Sequence, residues 1–306
     1  MNESNDKFTS DVVLRAEDIC KSYDGVQFLK GVSIDIHKGE LVSILGKSGV
    51  GKTTLFNIMS GLEKPDSGHV YISTCDDDVA GDAADNDADV AAGNDADGAA
   101  DNDVYSADGV DVRHAADSER RKDSLTDITG TTGHMSYMQQ KDLLLPHKTI
   151  LDNVSLPLVL GGTKKKEARE KAGGYFGEFG LDGTERKYPA QLSGGMRQRA
   201  ALLRTYLCGK EVALLDEPFS ALDSLTRAAM QEWYLGIMDK LRLTTIFVTH
   251  DIDEAILLSD RIYILGGSPA CMTDVIEPDF SRPRTPEICL TDEFLEIKRQ
   301  IRGKLM

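Results

Sequence analysis

Eight residues constrain this chain most tightly: Gly46-Lys47-Ser48-Gly49-Val50-Gly51-Lys52-Thr53, which match the pattern G-x-x-x-x-G-K-[ST] throughout. The apolar run Leu41-Val42-Ser43-Ile44-Leu45 precedes them at strand length, and Thr54-Leu55-Phe56-Asn57-Ile58-Met59 follows with the character of a helix start. Glycines let successive backbone N–H groups turn inward around a phosphate chain, and the helix N-terminus adds its dipole to that anion site. In such a loop Lys52 reaches the outer phosphates and the Thr53 hydroxyl meets Mg2+. A Gly-rich turn that fits by chance would lack the strand before it and the helix after it.

Charge narrows the class further. The formal net charge is −16 over 306 residues, yet residues 75–123 alone hold 16 Asp/Glu against 4 Lys/Arg. The acidity therefore belongs to one segment, and no basic face for nucleic acid is present. Five scattered cysteines without C-x-x-C spacing argue against a disulfide framework or a zinc site and fit a reducing compartment. No apolar run approaches the ~18 residues needed to span a bilayer, so membrane association would come through a partner.

Alternation predicts strands over 12–19 and 32–37, with 41–45 and 69–73 following. At Cys75 the chain turns to Asp, Ala, Asn and Gly, with near-repeats at Ala84-Asp85-Asn86-Asp87 and Ala100-Asp101-Asn102-Asp103. Too few large apolar groups remain to offset the entropy of ordering, so 75–129 reads as a disordered, solvated insert. Asp85-x-Asp87-x-Asp89 opens like a calcium loop, but Val90 stands at the glycine position and Ala96 at the closing glutamate position. Order is predicted to resume near Gly133, with helices over 148–160, 164–181, 222–241 and 253–259. Strands are predicted over 212–215, 245–248 and 261–265, and an amphipathic helix over 292–304.

Three further stretches carry chemistry. Val212-Ala213-Leu214-Leu215 is an apolar strand ending in Asp216-Glu217, placed to hold Mg2+ through Asp216 and to polarise water through Glu217. His250 closes another strand, where an N–H donor could stabilise phosphate charge. Leu192-Ser193-Gly194-Gly195-Met196-Arg197-Gln198-Arg199 makes a second anion-binding nest ahead of a helix. One chain has only one terminal phosphate to serve, so a second nest implies that another subunit contributes it.

With that stretch the sequence resembles the nucleotide-binding subunits of ABC transporters, whose signature is this Leu-Ser-Gly-Gly-x-x-x-Arg. The likeness spans 11 to about 265 without the insert. It implies a P-loop NTPase, an α/β RecA-like core with an antiparallel β-subdomain and a helical subdomain, over residues 11–270. A tail at 1–10, the insert 75–129 and a C-terminal tail with a short helix at 271–306 complete the organisation. It further implies ATP and Mg2+ as cofactors, with Tyr23 on adenine and Gly46, Lys47, Ser48, Gly49, Gly51, Lys52, Thr53 and Thr54 around the phosphates. Gln140, chosen over Gln139 because Leu144-Leu145-Pro146 fixes the register, joins Thr53 and Asp216 at the metal. Glu217, His250, Lys52 and Gln140 are the implied catalytic set. Ser193, Gly194 and Gly195 would close over the nucleotide of a second copy, and Ser220-Ala221-Leu222-Asp223 would communicate across the dimer.

The partners implied are that second copy, an integral membrane permease docking near 141–180 and, indirectly, a solute-binding protein, with no nucleic acid. The location implied is the cytoplasmic membrane face. Leu144-Leu145-Pro146-His147, Asp216-Glu217-Pro218-Phe219 and His250-Asp251-Ile252-Asp253-Glu254-Ala255 look like the nitrate/sulfonate/taurine branch of bacterial importers, which includes thiamine-precursor systems. The insert and His147, where Trp is frequent, depart from that pattern. Competing readings are an exporter subunit and a soluble ABC ATPase; the latter type carries two units or a long coiled coil, and neither is present in this sequence.

Overall fold

The computed structural model describes residues 12–73, 125–241, 243–282 and 284–305. The chain divides into two compact units, Met1–Ser73 with Leu125–Met306, and Thr74–Ser124. The second unit, with the acidic near-repeats and the Asp85 stretch, lies outside the described residues, as does the tail 1–10.

The described strands are β1 (Val12–Tyr23), β2 (Val26–His37), β3 (Leu41–Leu45), β4 (Ser67–Ser73), β5 (Leu125–Asp127), β6 (Ser136–Met138), β7 (Val212–Asp216), β8 (Thr244–Thr249), β9 (Arg261–Gly267) and β10 (Ala270–Ile276). They form one sheet in the order β5-β4-β1-β2-β10-β9-β3-β8-β7-β6. From β9 to β6 neighbouring strands run parallel. The pairs β4–β5, β1–β4, β1–β2 and β9–β10 are antiparallel. Every residue of β3, β7 and β8 is buried, as parallel strands covered on both faces require.

Strand alternation divides the core between the two faces. Val42, Ile44, Val212, Leu214, Ile246 and Val248 pack with Leu55, Phe56, Ile58 and Met59 of helix α1 (Lys52–Met59). Leu41, Leu215 and Phe247 point the other way, into a cluster with α2 (Ile150–Val154), α5 (Gly194–Tyr206) and α6 (Ser224–Leu241). A third cluster joins Ile262 and Ile264 to Ala255 and Ile256 of α7 (Ile252–Leu258) and to Phe294 and Ile301 of α8 (Asp292–Leu305).

Several boundaries differ from the sequence reading. The insert ends before 129: β5 pairs with β4 through Ser73↔Leu125, Ile72↔Thr126 and Tyr71↔Asp127, and Ile128 is buried. The described chain therefore takes up the sheet again at Leu125, paired directly with Ser73. The helix expected over 148–160 divides at Ser155 into α2 and α3 (Leu156–Leu160), because Pro157 cannot donate into a continuous helix. The helix expected over 164–181 is α4 (Lys165–Gly173), stopped at Gly173-Gly174. Residues from 271 onward also continue the sheet, since β10 pairs along β9. Among the described residues no helix is long and apolar enough to cross a membrane.

Candidate active site

The eight-residue loop joins the buried end of β3 to α1. Gly46 is wedged against β9: a Cβ there would lie 2.6 Å from the Leu265 carbonyl oxygen. Gly51 has φ +114°, and a Cβ would meet Leu29 at 2.8 Å, so only glycine fits both conformation and space. Lys47, Ser48 and Gly49 form the exposed tip. Lys52 is 5 % exposed and turns back, its Nζ donating to the Gly46 oxygen (2.7 Å) and the Lys47 oxygen (3.0 Å). Burial lowers its pKa, against the nearby charges of Glu217 and Asp216.

The end of β7 brings the carboxylates to this loop. Thr53 Oγ1 donates to Asp216 Oδ2 at 3.1 Å, across 163 residues of chain. Asp216 is buried, which raises its pKa, while the Thr53 hydrogen bond works in the opposite sense. A hydroxyl beside a carboxylate, facing a phosphate loop, is the all-oxygen donor set that Mg2+ prefers, with phosphate and water completing its octahedron. The residues present thus fit the ion.

Glu217 sits in left-handed backbone at φ 45°, a conformation that costs a non-glycine residue free energy and recurs at functional sites. Its amide donates to the Val248 oxygen of β8 (3.1 Å). One carboxylate oxygen accepts from Gln140 Nε2 (3.1 Å), and the other lies 3.2 Å from His250 Nδ1. Three loops, following β6, β7 and β8, therefore meet on one carboxylate, which brings Gln140, Glu217 and His250 together. Such a carboxylate can take a proton from water.

Tyr23 stands at the end of β1, half exposed. Its hydroxyl donates to Glu63 Oε1 (2.5 Å), and its ring meets Phe28 edge-on at 5.8 Å.

Ser193, Gly194 and Gly195 lie elsewhere. Ser193 caps α5, its Oγ accepting from Met196 N (3.3 Å), and its side chain is exposed. Gly194 and Gly195 are held close to α6 and the loop before it: a Cβ on Gly194 would touch Leu222 at 3.4 Å, and one on Gly195 would touch Thr226 at 3.1 Å. Among the described residues, no hydrogen bond or ion pair joins 193–195 to the loop 46–54. Ser220 Oγ donates to the Glu217 oxygen (3.0 Å), and Asp223 caps α6 through Thr226.

Sequence reasoning missed Tyr137 on β6, whose phenol donates to Asn57 Oδ1 (3.4 Å) and lies near enough to Asp216 that burial and the carboxylate together raise its pKa. A polar-tipped aromatic in a three-residue strand ahead of Gln140 was the available signal. It also missed the surroundings of His250, where Glu254 and Arg227, from two different helices, line the same small cavity.

A family profile described as ABC transporter matches residues 29–220. The formylaminopyrimidine import ATP-binding protein ThiZ of Halalkalibacterium halodurans is 38 % identical over 91 % of this chain and 90 % of its own length. The aliphatic sulfonates import ATP-binding protein SsuB of Bacillus cereus is 33 % identical over 90 % of this chain and 87 % of its own. Among solved structures, the dimeric bacterial ABC transporter cassette MJ0796 superposes with TM-score 0.60 at 26 % identity, covering 88 % of this chain and all of that one. The chain therefore belongs to the ABC transporter family, as an ATP-binding, ATP-hydrolysing subunit.

Proposed function

We propose that two copies of this chain close head to tail over two ATP molecules and energise import of a small solute through a membrane permease. The observation that carries this reading is the separation of the two anion-binding elements. The loop 46–54 is tied to Asp216 through Thr53, with Glu217 next along the chain, while no hydrogen bond or ion pair among the described residues links Ser193–Gly195, at the start of another helix, to that loop. A nucleotide held on the loop would be completed by the partner's Ser193, Gly194 and Gly195.

In this reading Gly46–Thr54 cradle the phosphates, Lys52 leaves its loop carbonyls for phosphate oxygens, and Tyr23 supports the base. Thr53, Asp216 and Gln140 would hold Mg2+, which when bound neutralises phosphate charge. Glu217, steadied by Gln140 and His250, accepts the proton of the attacking water. Loss of the terminal phosphate removes the bridge between the copies, and they part. Residues 11–270 form the ATPase domain, with 74–124 as an insert.

The permease docks on the segment 141–180, where Leu143 ahead of α2 and Leu160 at the end of α3 are exposed (51 % and 79 %). The subunit then lies on the cytoplasmic face, and a solute-binding protein delivers cargo from the other side. The names of the relatives favour a sulfonate or an aminopyrimidine thiamine precursor as that cargo.

A mixing experiment tests the pairing. Lys52→Ala and Ser193→Arg chains are each inactive alone; mixed, they form heterodimers with one intact composite site and recover a measurable fraction of wild-type ATPase. Absence of recovery, with heterodimers present by crosslinking, would overturn the head-to-tail arrangement.

A further inference from the structure

The turn that presents His250 is laced by a hydrogen-bond chain. Asp251 caps α7, its carboxylate accepting from Asp253 N (2.9 Å) and Glu254 N (3.3 Å). A glutamate at the third helical position ordinarily reaches back to the cap amide. Here the Asp251 amide instead donates to Thr249 Oγ1 (3.0 Å), and Thr249 Oγ1 donates to Glu254 Oε2 (2.6 Å). The capping box is closed through a threonine, and His250 is the residue enclosed.

Glu254 is 6 % exposed, and its second oxygen, Oε1, is buried with no hydrogen-bond partner. Arg227 Nε is buried and unpartnered in the same way. Both residues line one small cavity, together with Glu217, Ser220 and His250. The other guanidinium nitrogens tie Arg227 to its surroundings. Nη2 donates to the Leu222 oxygen (3.0 Å) in the loop after Glu217, and Nη1 lies 3.9 Å from Asp251. A buried unpartnered carboxylate oxygen and guanidinium N–H are costly separately and compensate each other when joined.

We propose that Arg227 and Glu254 are positioning residues for hydrolysis: they pair across this cavity and lock the loop Ser220–Asp223 to the His250 turn. The inference rests on the ATPase reading above. The pairing requires ionised Glu254. Burial raises its pKa to about 7, opposed by the Thr249 hydrogen bond and the Arg227 charge and reinforced by the charges of Asp251 and Glu217. The fraction able to pair therefore grows across neutrality, below the folded pKa being mostly protonated and above it mostly ionised.

Glu254→Gln retains an acceptor for Thr249 and removes the charge; Arg227→Gln removes the other. Each lowers kcat about tenfold with KM for ATP within about twofold, and the double variant is no slower than either single one. The ratio of wild-type to Glu254→Gln kcat rises about fivefold between pH 6 and 8, from about 2 to about 9, because the protonated wild type turns over like the variant and a carboxyl titrating near 7 ionises across that span; His250 is common to both proteins and cancels. Multiplicative losses in the double variant, a pH-independent ratio, or unchanged kcat in either single variant would each overturn the pairing. Arg227 is part-exposed, so its variant folds even if Glu254→Gln does not, and its kcat then decides alone. Full hydrolysis in Glu217→Gln would instead sink the underlying assignment.

Discussion

The two anion-binding elements of this chain are built in opposite ways. The loop 46–54 is fixed from behind by buried strands, and its lysine and threonine are already satisfied by the loop's own carbonyls and by Asp216. The Ser193–Gly195 element is fixed by close packing of its glycines on Leu222 and Thr226 and by its flank, where Gln198 donates to the Pro218 oxygen and Arg197 reaches Asp142 (3.1 Å) and the Leu192 oxygen (2.9 Å). Its serine and helix N-terminus face outward. The first is a complete binding element needing chemistry, and the second is a complete donor needing a ligand. On the proposed head-to-tail pairing, one chain holds two halves of a site that it does not itself join.

The sharpest way to break this contrast is at Glu217. Glu217→Gln keeps the contacts of the first region but removes the proton acceptor, and turnover falls at least ~100-fold while an ATP-bound dimer accumulates. Gel filtration with ATP reads the dimer, and near-normal phosphate release would discard the role of Glu217. The next comparison separates the regions by binding. Lys52→Ala loses most ATP affinity in the monomeric chain, whereas Ser193→Ala leaves that affinity within about twofold and lowers turnover at least about tenfold. Ser193→Ala also costs about 1 kcal/mol of stability through the lost cap, read as a modest fall in Tm. Equal loss of monomer affinity in both variants would erase the distinction. The smallest effect is expected outside both regions. Replacing 74–124 by Asn-Gly, a two-residue turn suited to the Ser73↔Leu125 pairing, leaves ATPase within about twofold. A larger change would tie the acidic unit to hydrolysis.

Much of the site was legible because its motifs are local. Gly46–Thr53, Asp216-Glu217 and Ser193-Gly194-Gly195 each require a strand or helix at a fixed offset, and spacing alone reveals that. What stayed hidden depends on distant neighbours. Leu125-Thr126-Asp127 offers one apolar residue and becomes a strand only because β4 supplies a ladder. Cys271–Ile276 mixes polar and apolar residues and is held by pairing with β9. Arg227 and Glu254 are 27 positions apart on separate helices, and nothing in either local pattern says that they share a cavity.

The left-handed backbone at Glu217 has an implication for anyone engineering this chain. Any scheme that scans for residues with positive φ and installs glycine there to gain stability will rank this position highly, with Asp18, Asp24 and Leu143. At Asp18 and Asp24 relief of torsional strain is a fair bargain, whereas Leu143 belongs to the proposed docking surface. At Glu217 the same substitution would produce a sturdier protein with its motor disconnected, so heat tolerance is the wrong selection pressure to apply without a turnover assay beside it.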